Sequence, residues 1–497
     1  MHSTNVSNMS STPDRFTFSD LFAGVGGFHA ALHAAGGQWT FASEIDPHAA
    51  RVYDYNWLRP LRESGALPPE GVERFEVSGD IVPLTDPAVK VPKSDVLAAG
   101  FPCQPFSKSG KQLGMDETRG TLFWNIARIL QDEARRPAVV LLENVRNLAG
   151  PRHRDTTFTT IVRTLRQLGY RTSDEPAIFS PHLLPPELGG RPQVRERVFI
   201  LAHYVGQDAA EREENFDDPI VTQKSFAAAD WAKSDWDLAR DLPLLADAEV
   251  DPKYELESSE RKWIETWDRL LTDVAARLQP GERLPGFPIW ADAFRTVAET
   301  EDIIDVAEVE GEPIPAWKAN FLRKNADFYQ RHRAVLDRYK MEIDGFPPSR
   351  RKFEWQAGPH VPLEETIMHF RPSGIRCKRP DYAPALVAIT QTTVLGKQMR
   401  RLAPRETARL QGFDDSFEFK QSDDGNWETP VDQKDPPSYR QMGNGVNVGA
   451  AFHVFSQYVL ANAEEIPEHV VAAVRAATND GSEVPQRLLS TSANRAR

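Results

Sequence analysis

Residues 15 to 32, Arg15-Phe-Thr-Phe-Ser-Asp-Leu-Phe-Ala-Gly-Val-Gly-Gly-Phe-His-Ala-Ala-Leu32, pass from an alternating strand pattern, through Gly24, Gly26 and Gly27, into a helical pattern. Strand, glycine turn and helix is how an α/β sheet seats a nucleotide-like ligand. The glycines let backbone approach the ligand, and the helix start offers free N–H groups. The spacing is not the dinucleotide-binding G-x-G-x-x-G, and glycine-rich turns alone are a weak signal. Glu44 follows the second apolar stretch, Trp39-Thr-Phe-Ala, where a carboxylate is expected to meet ribose hydroxyls. Phe75-Glu-Val-Ser-Gly-Asp-Ile81 reads as a third strand end, with Asp80 placed to accept from the exocyclic amine of an adenine. As an isolated Gly-Asp pair it would be an ordinary turn.

Further along, Gly100-Phe-Pro-Cys-Gln-Pro-Phe-Ser107 sets Cys103 between two prolines, just after the apolar run Asp95-Val-Leu-Ala-Ala. Thiolate is the reactive form of cysteine, and a thiol on a stiff strand-end loop is a candidate nucleophile. Buried structural cysteines are commoner in general, but flanking prolines and Gln104 are loop chemistry. Ala138-Val-Val-Leu-Leu142 is apolar throughout, as a parallel strand buried on both faces requires, and ends in Glu143-Asn144-Val145. Ligand sites in such sheets collect at the carboxyl ends of strands, which brings the glycines, Glu44, Asp80, Cys103 and Glu143 together.

In this order the motifs resemble those of the DNA cytosine-5 methyltransferases of prokaryotic restriction-modification or phage-defence systems. The matching segments are Asp20-Leu-Phe-Ala-Gly-Val-Gly-Gly27, Gly100 to Pro105, Glu143 to Val145, Gln193-Val-Arg-Glu-Arg197, Pro404 to Phe413 and Gln441-Met-Gly-Asn-Gly-Val446. The resemblance implies an α/β, Rossmann-like S-adenosylmethionine-dependent domain, a mixed sheet with helices on both faces, and a second, target-recognition domain. It implies that Cys103 adds to carbon 6 of a cytosine flipped out of a duplex, making carbon 5 enamine-like. Glu143 would serve ring nitrogen 3 and Arg197 oxygen 2, with Arg195 beside it. Alone, the two arginines would be one edge of a strand. Phe22, Ala23, Gly24, Val25, Gly26 and Gly27, with Glu44, Ile45, Asp80, Ile81 and Pro102, would hold the donor. Asn444, Gly445 and Val446 belong to the same pocket, so the first domain is discontinuous, with a helix over roughly 446–463 folded back onto it. No residue is identified as the base that removes the carbon-5 proton.

The expected organisation is a flexible tail at 1–14 and a catalytic domain at 15–205, completed by 433–465. A recognition domain at 206–432, with a helical insert at about 224–345, and a C-terminal tail at 466–497 complete the chain. Residues 108 to 120, polar and glycine-rich, are expected to form a lid over the flipped base. Gln104, Ser107, Lys108 and Lys111 are expected to contact DNA from that side.

With 497 residues and 40% hydrophobic composition the chain can bury a large core. Its net charge is −13, yet residues 350–409 hold twelve Lys or Arg against five Asp or Glu, a local +7. Phosphates are expected there, and away from the acidic run Glu299 to Glu312. Within it, Arg371-Pro-Ser-Gly-Ile-Arg-Cys-Lys-Arg379 reads as an irregular recognition loop whose Arg371, Arg376, Lys378 and Arg379 reach phosphates or base edges. Glu260 to Leu278 and Ala316 to Ile343 show helical spacing, with Trp263, Trp267, Trp317, Phe328 and Tyr329 expected in the core. Cys103 and Cys377, the only cysteines, make neither a disulfide framework nor a zinc pattern, so no metal is expected. No apolar run is long enough for a membrane span, and a cytoplasmic, nucleoid-associated monomer acting on double-stranded DNA is expected. A transfer-RNA methyltransferase and a non-catalytic DNA-binding scaffold are the alternatives. The large insert with its own basic stretch favours duplex DNA, and the intact cysteine, glutamate and arginines favour catalysis.

Overall fold

The computed structural model describes residues 15–66, 77, 79–86, 91–102, 122–212, 231, 235–388, 393–423 and 426–478. The expected N-terminal tail and the expected lid lie outside these residues. One sheet contains β1 (Phe16–Leu21), β2 (Gly37–Ser43), β3 (Val96–Ala99), β4 (Val139–Val145), β5 (Tyr170–Thr172) and β6 (Ala177–Phe179). After the short β7 (Gln193–Val194), β8 (Arg197–Tyr204) completes it in the order β2-β1-β3-β4-β8-β5, with β6 also on β8. The first four strands run parallel and β8 runs against them, so the sheet is mixed.

The apolar runs explain the layering. Val139 and Leu141 of β4 face one core with Phe16, Phe18 and the helices Gly27–Ala34 and Val448–Ala461. Val140 and Leu142 face the other core, with helices Leu122–Gln131 and Thr159–Gln167. Alternate residues buried on opposite faces need helices on both, which is why the run has no polar alternation. The third strand end expected near Asp80 does not form among the described residues. Residues 79–82 are irregular and lead into a single helical turn, Pro83–Thr85.

The second unit is a six-stranded sheet of β9 (Ile289–Trp290), β10 (Lys352–Gln356), β11 (Ile367–Arg371), β12 (Gly374–Lys378), β14 (Thr393–Leu395) and β15 (Arg400–Arg401). Helices Ser258–Ala275 and Ala316–Asp344 pack on it, close to the ranges their spacing suggests. Trp267, Phe328 and Tyr329 are buried and Trp263 is partly so, but Trp317 is 61% exposed. It lies in the first turn, about 200° around the helix from the buried Ala319.

Three further expectations need correction. Residues 371–379 are not an irregular loop: β11 and β12 form a hairpin turning at Pro372 and Ser373. Met368 and Phe370 on one strand and Ile375 and Cys377 on the other are buried, so period-two burial decided the structure and the Pro and Gly serve the turn. The chain rejoins the first core well before position 433, because Leu402, Ala408, Leu410, Phe413 and Phe417 already pack there. The expected C-terminal tail begins instead with helix Glu468–Thr478, whose Val470, Val471 and Val474 are fully buried. The short β13 (Ala383–Pro384) pairs with β7 and ties the two units beside the sheet's carboxyl edge.

Candidate active site

Strand order reverses between β1 and β3, and the carboxyl ends of parallel strands open a crevice at such a point. A cleft of about 430 Å³ lies there. Phe22, Ala23, Gly24, Val25, Gly27, Glu44, Ile45, Asp80, Ile81, Pro102, Glu143, Arg197, Asn444, Gly445 and Val446 all line it. Gly26 does not. Its φ is 93° and an added Cβ would lie 2.1 Å from Nε1 of Trp57, which donates to the Val25 carbonyl at 2.9 Å. Gly26 therefore admits Trp57 beneath the loop instead of facing a ligand.

The half of the cleft nearest β1 and β2 fits the donor that the motifs imply. Gly24 has φ 56° and open space where its Cβ would stand, so any side chain there would project into the cleft. The Glu44 carboxylate accepts from Gly24 N at 2.8 Å and Asp46 N at 2.7 Å, which fixes it at the end of β2 with lone pairs left for hydroxyl donors. Burial raises its pKa against those two bonds. Ile45 lies beside it, 70% exposed, an apolar surface that a flat ring would cover. Asp80 accepts from Val82 N at 3.0 Å, which orients the turn entering the cleft. Gly27 lets the distant Val446 close the floor, since a Cβ there would meet both Cγ1 and the carbonyl oxygen of Val446 at 2.7 Å.

At the β4 end, antiparallel pairing of β8 brings Arg197 opposite Val145 and beside Glu143. Arg197 Nε lies 2.9 Å from Glu143 Oε1, an ion pair at the β4 end of the cleft. Burial pushes the Glu143 carboxyl above its ordinary range, outweighing the pull of Arg197 and Arg195. Asn144 is buried and donates from its side chain to the Phe101 carbonyl at 2.9 Å, so it anchors the strand-end loop that runs through Pro102 toward Cys103. Cys103 itself lies outside the described residues, as do Gln104, Ser107, Lys108 and Lys111. Cys377 is buried in β12 with its thiol pushed up to about 12, which suits packing and not nucleophilic attack.

Arg195 does not line the cleft. Its buried guanidinium donates to the carbonyls of Leu386 at 2.9 Å, Gly443 at 2.8 Å and Gly445 at 2.6 Å. Burial lowers its pKa to about 9, still high enough to stay charged at neutral pH. It therefore joins the helix end at 443–445, which lines the cleft, to the segment leaving the second sheet. In that sheet Arg371 and Arg376 both pair with Glu354, the latter at 2.9 Å. Lys378 lies over the Tyr382 ring, and Arg379 donates to the Ala357 carbonyl at 2.7 Å. Sequence reasoning missed Asn144 and Arg440, which also lines the cleft. Asn144 sits inside a quoted motif, and Arg440 stands one helical turn before Asn444.

The model of the C-5 cytosine-specific DNA methylases matches residues 16–459. The Type II methyltransferase M.AluI of Cellulosimicrobium cellulans is 42% identical over 516 aligned residues, covering 91% of this chain and 93% of that protein. The Type II methyltransferase M.HhaI of Haemophilus parahaemolyticus is 37% identical over 184 residues, 37% of this chain and 48% of its own. Motif order, sheet topology and these matches agree: the chain belongs to the C-5 cytosine-specific DNA methylases, enzymes that take their methyl group from S-adenosylmethionine.

Proposed function

We propose that this enzyme methylates carbon 5 of a cytosine swung out of a specific double-stranded DNA sequence, through a transient bond from Cys103, and so marks host DNA in a Type II restriction-modification setting. The observation that carries the reading is the buried Glu143–Arg197 pair, facing the same cleft as the glycine loop and Glu44. S-adenosylmethionine, when bound, supplies an electrophilic methyl group on a sulfonium.

The chain's residues supply the rest. Addition of the Cys103 sulfur to carbon 6 places negative charge toward ring nitrogen 3 and oxygen 2. A Glu143 that keeps its proton through burial donates to nitrogen 3, and Arg197 meets oxygen 2. Both stabilise the adduct more than the flat ring, which is the requirement for catalysis. Loss of the carbon-5 proton then expels the thiolate. Asn144 holds the Phe101 carbonyl, two residues before Cys103 in the chain. Residues of the second unit, within 206–432, select the sequence. Arg371 and Arg376, buttressed by Glu354, offer their remaining N–H groups to phosphates or guanine edges.

The experiment uses duplex DNA carrying 5-fluorocytosine, in which carbon 5 lacks a removable proton. With donor present, a covalent complex stable to denaturing electrophoresis is expected for the wild type and none for Cys103→Ala. A trapped complex that persists in Cys103→Ala refutes the assigned nucleophile. Labelling of transfer RNA with none in genomic DNA removes the substrate assignment.

A further inference from the structure

We infer that Arg440 is the counter-charge for the carboxylate at the amino-acid end of the methyl donor, a donor-binding residue outside the sequence motifs. The inference rests on the donor reading of the cleft and adds to it one specific contact.

Charge bookkeeping in the cleft motivates it. Among the described lining residues the carboxylates are Glu44, Asp46, Asp80 and Glu143, and the cations are Arg197 and Arg440. Every one but Arg440 is engaged. Glu44 holds two backbone N–H groups, Asp46 caps the following helix through His48 N at 2.9 Å, Asp80 holds Val82 N, and Arg197 pairs with Glu143. Arg440 is exposed and makes no hydrogen bond or ion pair among the described residues.

Its direction is not left to chance. The residues on either side are fixed: Tyr439 donates to the Leu402 carbonyl at 2.7 Å, and Gln441 exchanges two hydrogen bonds with Gln433 at 2.8 and 3.0 Å. Helix Asp435–Asn444 is thereby locked in rotation, and Arg440 and Asn444, four residues apart, share the face toward the cleft. The helix also brings its C-terminal end to the cleft, through Gly443 and Gly445. The Gly443 and Gly445 carbonyls there are already held by Arg195, which faces away from the cleft and leaves Arg440 as the cleft-side cation of this helix end. A zwitterionic amino-acid end entering a cleft lined by Glu44, Asp46 and Asp80 finds carboxylate oxygens for its ammonium. For its carboxylate the one uncommitted cation among the described lining residues is Arg440.

The test is isothermal titration of the full chain with S-adenosylhomocysteine and with its decarboxylated analogue, which differ only in that carboxylate. Arg440→Gln is expected to weaken the first by roughly tenfold or more, the scale of a lost charge-assisted hydrogen bond, and the second by less than about twofold. Arg440→Lys is expected to recover part of the difference, because a point charge replaces a fork. Unchanged melting temperature shows that both variants are folded. Equal weakening of the two ligands, or none, overturns the assignment. Unchanged S-adenosylhomocysteine affinity with weaker duplex binding overturns it in favour of a phosphate contact. Failure of the wild type to bind S-adenosylhomocysteine removes the donor reading, and the Arg440 assignment with it.

Discussion

Replacing Gly27 by alanine tests whether two motifs more than four hundred residues apart build one wall of the donor site. The new Cβ would stand 2.7 Å from Val446 Cγ1 and 2.7 Å from the Val446 carbonyl oxygen, some 0.7 Å short of the 3.4 Å of ordinary contact. The valine methyl can rotate, but the backbone oxygen cannot, so the 445–446 segment has to retreat. Overpacking of this kind costs about 1–3 kcal/mol. Because Val446 lines the cleft, most of that strain is expected in ligand affinity, about 5- to 150-fold weaker S-adenosylhomocysteine binding by titration calorimetry. Gly286→Ala is the control, since nothing lies within 4 Å of its Cβ position and its φ is not positive, and no change is expected. Wild-type affinity in Gly27→Ala, even with a lowered melting temperature, would refute the claim that this contact shapes the cleft.

Glu143→Gln is expected to lower kcat by about 10²–10⁴-fold in single-turnover methylation. The wild-type rate is expected to decline as pH rises through the raised Glu143 pKa and the variant to lack that decline; a decline preserved in the variant removes Glu143 as the proton donor. Glu406 is fully buried and accepts from Arg400 twice at 2.9 Å, from Leu245 N and from Ala403 N. Glu406→Ala leaves that guanidinium buried without its partner and is expected to cost about 3–5 kcal/mol, seen as a clear fall in melting temperature. Asp20 is fully buried beneath the glycine loop, and burial raises its pKa well above the ordinary value. The folded state then binds the proton more tightly than the unfolded chain. Its stabilising contribution is present at acid pH and is lost as pH rises from the unfolded pKa through the folded one. Asp20→Asn is therefore expected to melt higher than wild type at pH 8, with the advantage shrinking toward pH 4. An advantage that grows on acidification would show the sign to be wrong.

The local signals that sequence carries well were those set by covalent geometry and burial. The Phe16–Leu21 strand, the glycine turn and the helix after it follow from alternation, permissive φ at Gly24 and Gly26, and apolar spacing, all properties of neighbouring residues. The double-sided burial of β4 was legible for the same reason. The 371–379 hairpin was not, because Pro and Gly mark a turn without saying whether strands flank it. Only pairing with β10 and β14 made Met368, Phe370, Ile375 and Cys377 inward-facing. Residue types alone also grouped Arg195 with Arg197 as equals. Arg195 points at three carbonyls from two distant segments and Arg197 at Glu143, a division that arises because β7 leaves the sheet to pair with β13 while β8 enters it. Short-range order can be written in adjacent side chains. Which groups meet across hundreds of residues, and that Arg440 is the uncommitted cation among the described lining residues of the cleft, depends on how the layers close, and only the tertiary structure decides that.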